Sequence, residues 1–340
     1  MTRIRVLVVD DSLTVRKRFV EVLAATADLD VVGEASDGQT AIALTRALRP
    51  DVIALDLVMP GTDGVAATEM IMAQTPTPIL IVSAANNRGE QLNTYDALAA
   101  GAVDVLDKND DDPDWEGRLV AALRMAARIK VITHLRGRSR PPATATDLPS
   151  VPARAPSLIA IGASTGGPGA LVQVLSALPV GFSIPIVIVL HIEASYADRL
   201  AEWLAVQTKR DVQLARAGAL PSAGVVVAPP GRHLRISGRE LAFSSAPAMH
   251  HCRPSIDVLF ESIAVELGVR ATACLLTGMG RDGARGLLAI RRSGGLTIAQ
   301  DEATSVVYGM PREAVACGAA VHVLPLGDVG PFLKALGTSR

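Results

Sequence analysis

The sequence predicts an α/β protein with two doubly wound parallel-sheet domains and a β-hairpin inserted in the second. Apolar runs of strand length alternate with helical segments along most of the chain, which is typical of parallel sheets covered on both faces. The alternation is interrupted at residues 141–156, which contain five prolines and show no periodicity. A chain of 340 residues is also long enough for two domains.

The first domain is predicted as an N-terminal (βα)5 unit over residues 1–130. Its strands are expected at 5–9, 31–35, 52–55, 79–82 and 103–106. Its helices are expected at 12–25, 39–48, 64–73, 91–100 and 114–132. Because proline fixes φ and removes a backbone donor, we assign residues 131–156 to an extended linker.

The second domain is predicted to span residues 157–340. Its strands are expected at 158–162, 186–191, 212–214, 225–228, 273–276, 296–299 and 320–324. Its helices are expected at 168–177, 195–207, 256–267, 283–292 and 312–316. Two alternating runs around Ser237-Gly238-Arg239 indicate the inserted hairpin.

Composition excludes several classes of protein. With 33 basic and 34 acidic residues, the chain has no overall field that would attract nucleic acid. No apolar stretch approaches the roughly 18 residues that a membrane span needs, and the N-terminus does not resemble a signal peptide. The three cysteines fit neither a disulfide framework nor a zinc spacing. We therefore expect a cytoplasmic protein with reduced thiols, no nucleic-acid partner and no direct membrane insertion.

An acidic cluster is expected at the carboxyl edge of the first sheet, where ligands bind in such folds. Asp10 and Asp11 follow the first strand, and Asp56 follows the third. Crowded carboxylates repel unless a cation lies among them, and Mg²⁺ suits such oxygen ligands. Ser83 and Lys108 end the fourth and fifth strands, completing a set that suits phosphoryl chemistry. Helix capping or a solvated lysine explains any one of these residues, but not all five at successive strand ends.

The motifs VLVVDDS, ALDLVMPGTDG, IVSA and DK occur in this order, and residues 1 to about 130 resemble the response-regulator receiver domain, which has a flavodoxin-like fold. The resemblance implies that Asp56 accepts a phosphoryl group from a chemotaxis histidine kinase. It also implies that Asp10 and Asp11 help to hold Mg²⁺, and that Ser83 and Lys108 sense the modified state.

A glycine-rich turn opens the second domain. Gly162 to Gly166 fit the G-x-S-x-G pattern between a strand and a helix, which exposes the Ser164 hydroxyl near helix N-terminal amides. That arrangement suits acyl transfer. A nucleotide loop is the competing interpretation, but G-x-G-x-x-G and G-x-x-x-x-G-K-[ST] are both absent.

A serine nucleophile needs a base, and the base needs an orienting acid. Of the six histidines, His191 alone ends a strongly apolar strand, PIVIVLH, at the expected ligand edge. Asp282, in the glycine-flanked loop after the strand ATACLL, is the best candidate acid, and Asp257 and Asp301 remain alternatives. The neighbouring histidines and cysteine at 250–252 are interpreted as a surface loop rather than as metal ligands.

Longer motifs extend this interpretation. The segments GASTGGP, CRPSIDVLFES, LLTGMGRDGARGL and QDEATSVVYGMPREA make residues 157–326 resemble the chemotaxis response regulator protein-glutamate methylesterase family. A receiver in front of such a domain is the order found in that family. The second domain is thus expected to be an α/β methylesterase.

The resemblance implies a triad of Ser164, His191 and Asp282, with the Met279 amide in the oxyanion hole beside Thr165 and Gly166. The expected substrates are methylated glutamates on the cytoplasmic domains of methyl-accepting chemoreceptors, with glutamate and methanol as products. Some members also deamidate receptor glutamines. The esterase itself needs no cofactor in this family, and phosphorylation of the receiver activates it.

Two alternatives stay open. After His191 the chain reads IEASYADRLAEWL, which looks more like methylesterases of chemosensory systems that drive outputs other than flagellar motion. The second alternative is a non-catalytic regulatory binding protein, which the complete candidate triad argues against.

Overall fold

The structure is a computed structural model that describes residues 3–84, 88–108, 112–129, 131 and 155–338. The chain forms two compact units, Met1–Arg138 and Ser139–Arg340. Nearly all of the linker predicted for residues 131–156 lies outside the described residues. The predicted boundaries of the receiver, the linker and the second domain therefore stay predictions.

The first unit contains a parallel sheet in the order β2-β1-β3-β4-β5, which is the flavodoxin-like order. Its strands are β1 (Ile4–Val9), β2 (Leu29–Ala35), β3 (Val52–Leu55), β4 (Ile79–Ser83) and β5 (Asp104–Asp107). Its helices are α1 (Leu13–Ala24), α2 (Gly38–Leu48), α3 (Gly64–Gln74), α4 (Arg88–Ala100) and α5 (Trp115–Ala126). The predicted alternation of strands and helices is confirmed.

Local sequence explains why these elements begin where they do. Every residue of β3 and β4 is buried, as expected for strands covered on both faces. Ser12, Asp37 and Asp63 precede helices, and each side chain accepts a hydrogen bond from the third amide of its helix. The helices therefore start directly after the loops that leave the strand ends.

The second unit contains a larger parallel sheet in the order β15-β14-β13-β6-β7-β10-β8. These strands are β6 (Leu158–Ala163), β7 (Ile186–Leu190), β8 (Val212–Leu214), β10 (Val225–Val227), β13 (Ala271–Leu275), β14 (Leu296–Gln300) and β15 (His322–Leu324). The helices are α6 (Gly167–Ser176), α7 (Ala194–Ala197), α8 (Leu200–Thr208), α9 (Ile256–Glu266), α10 (Ala284–Arg292), α11 (Met310–Ala316) and α12 (Leu326–Thr338). Strand β6 lies between β13 and β7, so their carboxyl ends are neighbours.

The inserted hairpin is confirmed. Strands β11 (His233–Ser237) and β12 (Glu240–Ser244) pair in antiparallel fashion, and Gly238 takes a φ of +61° in the turn between them. A short strand that the sequence did not predict, β9 (Gly218–Ala219), pairs with β12. Apolar residues of the hairpin join the core that includes α9.

Two helical features differ from the sequence-based expectation. The helix predicted over 195–207 is divided into α7 and α8, and α12 was not predicted because Gly327, Gly330 and Pro331 are helix breakers. Burial of Phe332 and Leu333 holds α12 in place despite these residues. No helix among the described residues has the length and apolar character to cross a membrane.

Candidate functional sites

The first unit has an acidic site at the carboxyl edge of its sheet. Asp10 follows β1 and Asp56 follows β3, and both are almost fully buried, with 1% and 6% of their surface exposed. Lys108 follows β5 and reaches between them. Its Nζ lies 2.6 Å from Oδ2 of Asp10 and 3.0 Å from Oδ2 of Asp56. The structure therefore brings together three side chains from three different strand ends.

The donor set of this site fits Mg²⁺. Asp10, Asp11 and Asp56 each place a carboxylate oxygen within 4.8 Å of the others. Burial raises the pKa of Asp56, and Lys108 offsets that rise only in part. Two buried carboxylates and the exposed carboxylate of Asp11 offer oxygen ligands, which suit a small cation such as Mg²⁺.

Ser83, the last residue of β4, is 1% exposed. Its carbonyl accepts a hydrogen bond of 3.1 Å from the N–H of Lys108. The two predicted switch residues are thus neighbours at the same edge as the carboxylates.

In the second unit, Ser164 is the first residue after β6. Its N–H donates to the carbonyl of Thr277 at 3.0 Å, and its carbonyl accepts from the N–H of Gly167 at 2.7 Å. Gly166 has a φ of +75°, and a Cβ at this position would lie 2.6 Å from Cβ of Val306. The turn therefore requires glycine at 166 for both conformational and steric reasons.

Backbone donors are available around Ser164. Within the described residues, the N–H groups of Thr165, Gly166 and Met279 donate to no protein acceptor. A Cβ on Gly278 would lie 2.7 Å from Cβ of Ser164, so glycine at 278 allows this second loop to touch the serine. Unpaired amides in two loops that meet at a serine hydroxyl are the groups that an oxyanion hole needs.

His191 follows β7, which pairs with β6 so that Leu190 lies opposite Ala163. Its N–H donates to the carbonyl of Ala163 at 3.0 Å. Ser164 and His191 therefore leave adjacent strand ends. Within the described residues the Ser164 hydroxyl makes no hydrogen bond, so the serine and the imidazole share an edge of the sheet without a bond between them. Catalytic bonds of this kind often tighten only when substrate binds.

The imidazole of His191 is paired with a carboxylate. Nε2 lies 2.9 Å from Oδ2 of Asp282. The N–H of Nε2 is not directed at that oxygen, so this buried nitrogen has no well-aligned hydrogen-bond partner in the described parts of the chain. The other ring nitrogen, Nδ1, lies 3.6 Å from Sγ of Cys252. Because Nε2 is the ring nitrogen close to the carboxylate, Nδ1 is the nitrogen left to exchange a proton.

The N-terminus of α9 holds the Asp282 carboxylate. The Ser255 hydroxyl donates to Oδ1 at 2.7 Å, the N–H of Ile256 donates to Oδ2 at 2.7 Å, and the N–H of Asp257 donates to Oδ1 at 3.0 Å. Helix N-terminal amides stabilise a negative charge. The carboxylate is thus fixed in position and remains ionised.

The pKa values follow from these contacts. Burial opposes ionisation of Asp282, but His191 and then Ser255 outweigh it, so the pKa of Asp282 lies below its ordinary value. Burial also opposes protonation of His191, yet Asp282 and Cys252 together raise the pKa of His191 to about 9. At neutral pH the resting pair is therefore imidazolium and carboxylate.

The two competing acids have other partners. Asp257 is fully buried, and its Oδ2 lies 3.2 Å from Nε2 of His250. Asp301 accepts hydrogen bonds from both the N–H and the hydroxyl of Thr304. Of the three candidate carboxylates, Asp282 is the one that contacts the histidine after β7 within the described residues.

The predicted surface loop at His250, His251 and Cys252 is a turn in the structure, but His250 and Cys252 are only partly exposed and contact residues of the site. Cys252 lies beside the imidazole of His191, and His250 pairs with a buried carboxylate. The loop is shaped by left-handed backbone at His250 and His251, with φ values of +52° and +65°. Such values are uncommon outside glycine, so the sequence gives no signal for them.

Two family models match this chain: CheB methylesterase over residues 159–333 and response regulator receiver domain over residues 6–120. A protein of Anaeromyxobacter dehalogenans named protein-glutamate methylesterase/protein-glutamine glutaminase 2 is 46% identical over 340 residues, covering 98% of this chain and 97% of that protein. A protein of the same name from Cupriavidus metallidurans is 42% identical, covering 97% of each chain.

Solved structures also match each unit. The Thermotoga maritima CheB methylesterase catalytic domain has a TM-score of 0.49 and 30% identity, covering 53% of this chain and 98% of that one. The response regulator domain of Thermotoga maritima CheB has a TM-score of 0.35 and 34% identity, covering 38% of this chain and 98% of that one.

Proposed function

The chain belongs to the CheB methylesterase family and carries a response regulator receiver domain, and on that premise we propose that it is a phosphorylation-activated protein-glutamate methylesterase. It hydrolyses glutamate γ-methyl esters to glutamate and methanol. The observation that carries this proposal is the His191–Asp282 pair, which lies at the strand end adjacent to the Ser164 turn.

Ser164 is the proposed nucleophile. Its hydroxyl oxygen attacks the γ-carbonyl carbon of the ester while Nδ1 of His191 accepts the hydroxyl proton. The tetrahedral intermediate then expels methanol, whose oxygen takes that proton from the imidazolium. Water attacks the resulting acyl-enzyme by the same route, which releases glutamate and restores the serine.

Asp282 is proposed to hold the imidazole for this exchange. Its carboxylate oxygen lies 2.9 Å from Nε2. The proton that stays on the ring is therefore kept on Nε2, and Nδ1 is left to act as the base. Because three donors at the start of α9 fix the carboxylate, Asp282 holds the ring without moving or losing its charge.

The amides of Thr165, Gly166 and Met279 are proposed to bind the oxyanion. They are available because no protein acceptor takes them within the described residues. A preorganised donor of this kind contributes roughly 3 kcal/mol to transition-state stabilisation.

The same site accommodates a second reaction. The relatives described above are also named as glutaminases, and a glutamine side chain presents the same carbonyl to Ser164. The leaving group is then ammonia instead of methanol, and the acyl-enzyme is identical. We therefore extend the proposal to deamidation of receptor glutamines.

Regulation is assigned to the acidic site of the first unit. Asp56 is the proposed phosphoacceptor for a chemotaxis histidine kinase, and Asp10, Asp11 and Asp56 would hold Mg²⁺. When bound there, the ion supplies positive charge that stabilises the transferring phosphoryl group. Lys108 and Ser83 then contact the phosphoryl oxygens, and the modified state shifts the population of active enzyme.

The proposed substrates are the cytoplasmic domains of methyl-accepting chemoreceptors, so the reaction takes place in the cytoplasm. Methanol release from methylated receptor tests the proposal directly. Ser164→Ala should abolish release, whereas Ser157→Ala, which removes another hydroxyl from the same unit, should not. Methanol release by Ser164→Ala at the wild-type rate would refute the assignment.

The regulatory half is tested separately with acetyl phosphate as a small phosphodonor. It should increase methanol release by the wild type and leave the rate of Asp56→Asn unchanged from that variant's own basal value. Equal activation of both proteins would remove Asp56 from the proposal and leave the esterase assignment intact.

A further inference from the structure

A cysteine that takes no part in the proposed hydrolysis lies beside the His191–Asp282 pair. Cys252, His191 and Asp282 each place one potential ligand atom within 4.8 Å of the other two. Cys252 is only partly exposed, and its Sγ approaches Nδ1 of His191 and the carbonyl of His250. We propose that Cys252 and His191, supported by Asp282, form an inhibitory site for a divalent ion of the Zn²⁺ class.

The spacing of the two direct ligands matches such an ion. Sγ of Cys252 lies 3.6 Å from Nδ1 of His191. Zinc binds sulfur at about 2.3 Å and imidazole nitrogen at about 2.0 Å, and a tetrahedral angle between these bonds separates the two atoms by about 3.5 Å. The sulfur and the nitrogen are therefore already at ligand spacing.

The other ring nitrogen of His191, Nε2, is also placed to support a metal ion on Nδ1. A metal on Nδ1 keeps the ring proton on Nε2, and Nε2 is buried without a well-aligned partner among the described residues. Oδ2 of Asp282 lies 2.9 Å away, close enough to accept that proton's hydrogen bond after a small rotation of the ring. At zinc sites, a histidine ligand usually donates its other ring N–H to a carboxylate or another acceptor.

The donor set selects the class of ion. A thiolate and an imidazole favour Zn²⁺ or Co²⁺ over Mg²⁺ and Ca²⁺, which prefer oxygen. The carboxylates of Asp10, Asp11 and Asp56 offer only oxygen. The two units thus provide sites for two different classes of divalent ion. Water completes the coordination at the cysteine site, which keeps binding reversible.

Metal binding at Nδ1 would stop the esterase. The ion displaces two protons to solvent, one from the thiol of Cys252 and one from Nδ1 of the resting imidazolium. It then forms bonds to the sulfur and to Nδ1, and so occupies the nitrogen lone pair that accepts the Ser164 proton. This consequence rests on the proposed function, whereas the existence of the metal site does not.

Cobalt spectroscopy tests the site without any assay of activity. The full chain is stripped of metal, supplied with excess Mg²⁺ to fill the receiver site, and titrated with Co²⁺. The wild type should show a thiolate-to-cobalt charge-transfer band. Cys317→Ser, which removes the exposed cysteine, should retain the band, and Cys252→Ser should lose it. Absence of the band in the wild type, or its persistence in Cys252→Ser, would overturn the proposal.

Zinc inhibition tests the consequence. Methanol release is titrated with Zn²⁺ for the same three proteins, and each is normalised to its own metal-free rate. The wild type and Cys317→Ser should be inhibited, with recovery after EDTA, and Cys252→Ser should need at least tenfold more Zn²⁺. Equal sensitivity of Cys252→Ser would show that the ion acts elsewhere. A cobalt band in a chain that releases no methanol would support the metal site and refute the proposed function.

Discussion

Asp56 and Asp282 are both buried carboxylates that follow strands of parallel sheets, yet their surroundings differ. Among the described residues, the Asp56 carboxylate accepts a backbone hydrogen bond from Leu57 and faces Lys108, and burial raises its pKa. Asp282 accepts from three donors at the start of α9 and faces His191, and its pKa is lowered. Position after a strand brings both carboxylates to the carboxyl edge of a sheet, but their described partners differ, and their pKa values are shifted in opposite directions.

The contrast has a chemical reason. In the proposed function Asp56 accepts a phosphoryl group and a cation, which needs free lone pairs, so its charge cannot be fully balanced by the protein alone. A carboxylate that only holds a histidine benefits from every donor it can bind. We therefore expect neutralising substitutions at the two positions to have opposite effects on stability.

Asp282→Asn should give the largest effect. It removes the charge that faces His191 and places amide hydrogens against backbone donors, so the imidazole loses its fixed tautomer. By analogy with the acid of other serine triads, we expect kcat to fall by about 10⁴-fold. The free energy of unfolding should also fall at neutral pH, because a carboxylate with a lowered pKa stabilises the fold above its ordinary pKa and loses this effect in acid.

The matched control is Asp301→Asn, which removes another carboxylate that follows a strand but binds Thr304 instead of a histidine. Its kcat should stay within a few-fold of the wild-type value. Methanol release and calorimetric unfolding check both variants. Similar losses of kcat in the two would show that contact with His191 is not what distinguishes Asp282.

Strand-end reasoning predicted much of both sites because it needs only that each sheet be parallel, so that the carboxyl ends of its strands lie at one edge. Asp10, Asp56 and Lys108 follow buried strands whose periodicity is clear in the sequence, and they meet as expected. The same logic predicted Ser164 and His191 at one edge of the second sheet, and the structure shows that their strands are adjacent. The choice among three candidate acids stayed open because loop paths determine it, and strand periodicity does not predict them.

What the sequence did not predict depends on contacts between distant loops. Cys252 reaches His191 through a turn with left-handed backbone at non-glycine residues, a conformation that has no sequence signal. Ser255 was also missed, although a serine directly before the apolar helix α9 is a typical N-cap. That pattern predicts a cap, but it does not show that the same hydroxyl binds the carboxylate of Asp282.

The pH dependence of catalysis follows from the raised pKa of His191, which is about 9. Nδ1 accepts a proton only when the ring is neutral, so each pH unit below this pKa lowers the available base about tenfold. We expect kcat/KM for methanol release to rise by roughly 50-fold between pH 7 and pH 9, where half of the rings are neutral, and to level off above pH 9 at roughly 100-fold its value at pH 7. The profile is measured on the phosphodonor-activated wild type.

Cys252→Ala sharpens this test. Since Cys252 contributes to the raised pKa, the midpoint of the profile should move to lower pH in the variant, while Cys317→Ala leaves it in place. A wild-type midpoint near the ordinary histidine pKa of about 6.5 would mean that the pair is not an imidazolium and carboxylate at rest.

Asp56→Asn should have the smallest effect and the opposite sign. The asparagine keeps an acceptor for the Leu57 N–H and removes a charge that burial disfavours, while Asp10 still binds Lys108. Without Mg²⁺ we expect the free energy of unfolding of the first unit to increase by about 1 kcal/mol. Such a gain is typical when a charged functional group is replaced by a neutral one that costs less to bury. Because a raised pKa lowers stability as pH rises through it, the gain should grow from acid to neutral pH.

Calorimetry of the full chain in EDTA measures this gain. The control, Asp51→Asn, removes a carboxylate at the opposite end of β3, where its Oδ2 accepts a hydrogen bond from the N–H of Arg5 at the surface. It should bring no gain, because its charge is solvated. If Asp56→Asn were less stable than the wild type at pH 7, Lys108 would balance Asp56 completely. Asp56 and Asp282 would then differ in the partners they bind, and not in how fully the protein balances their negative charge.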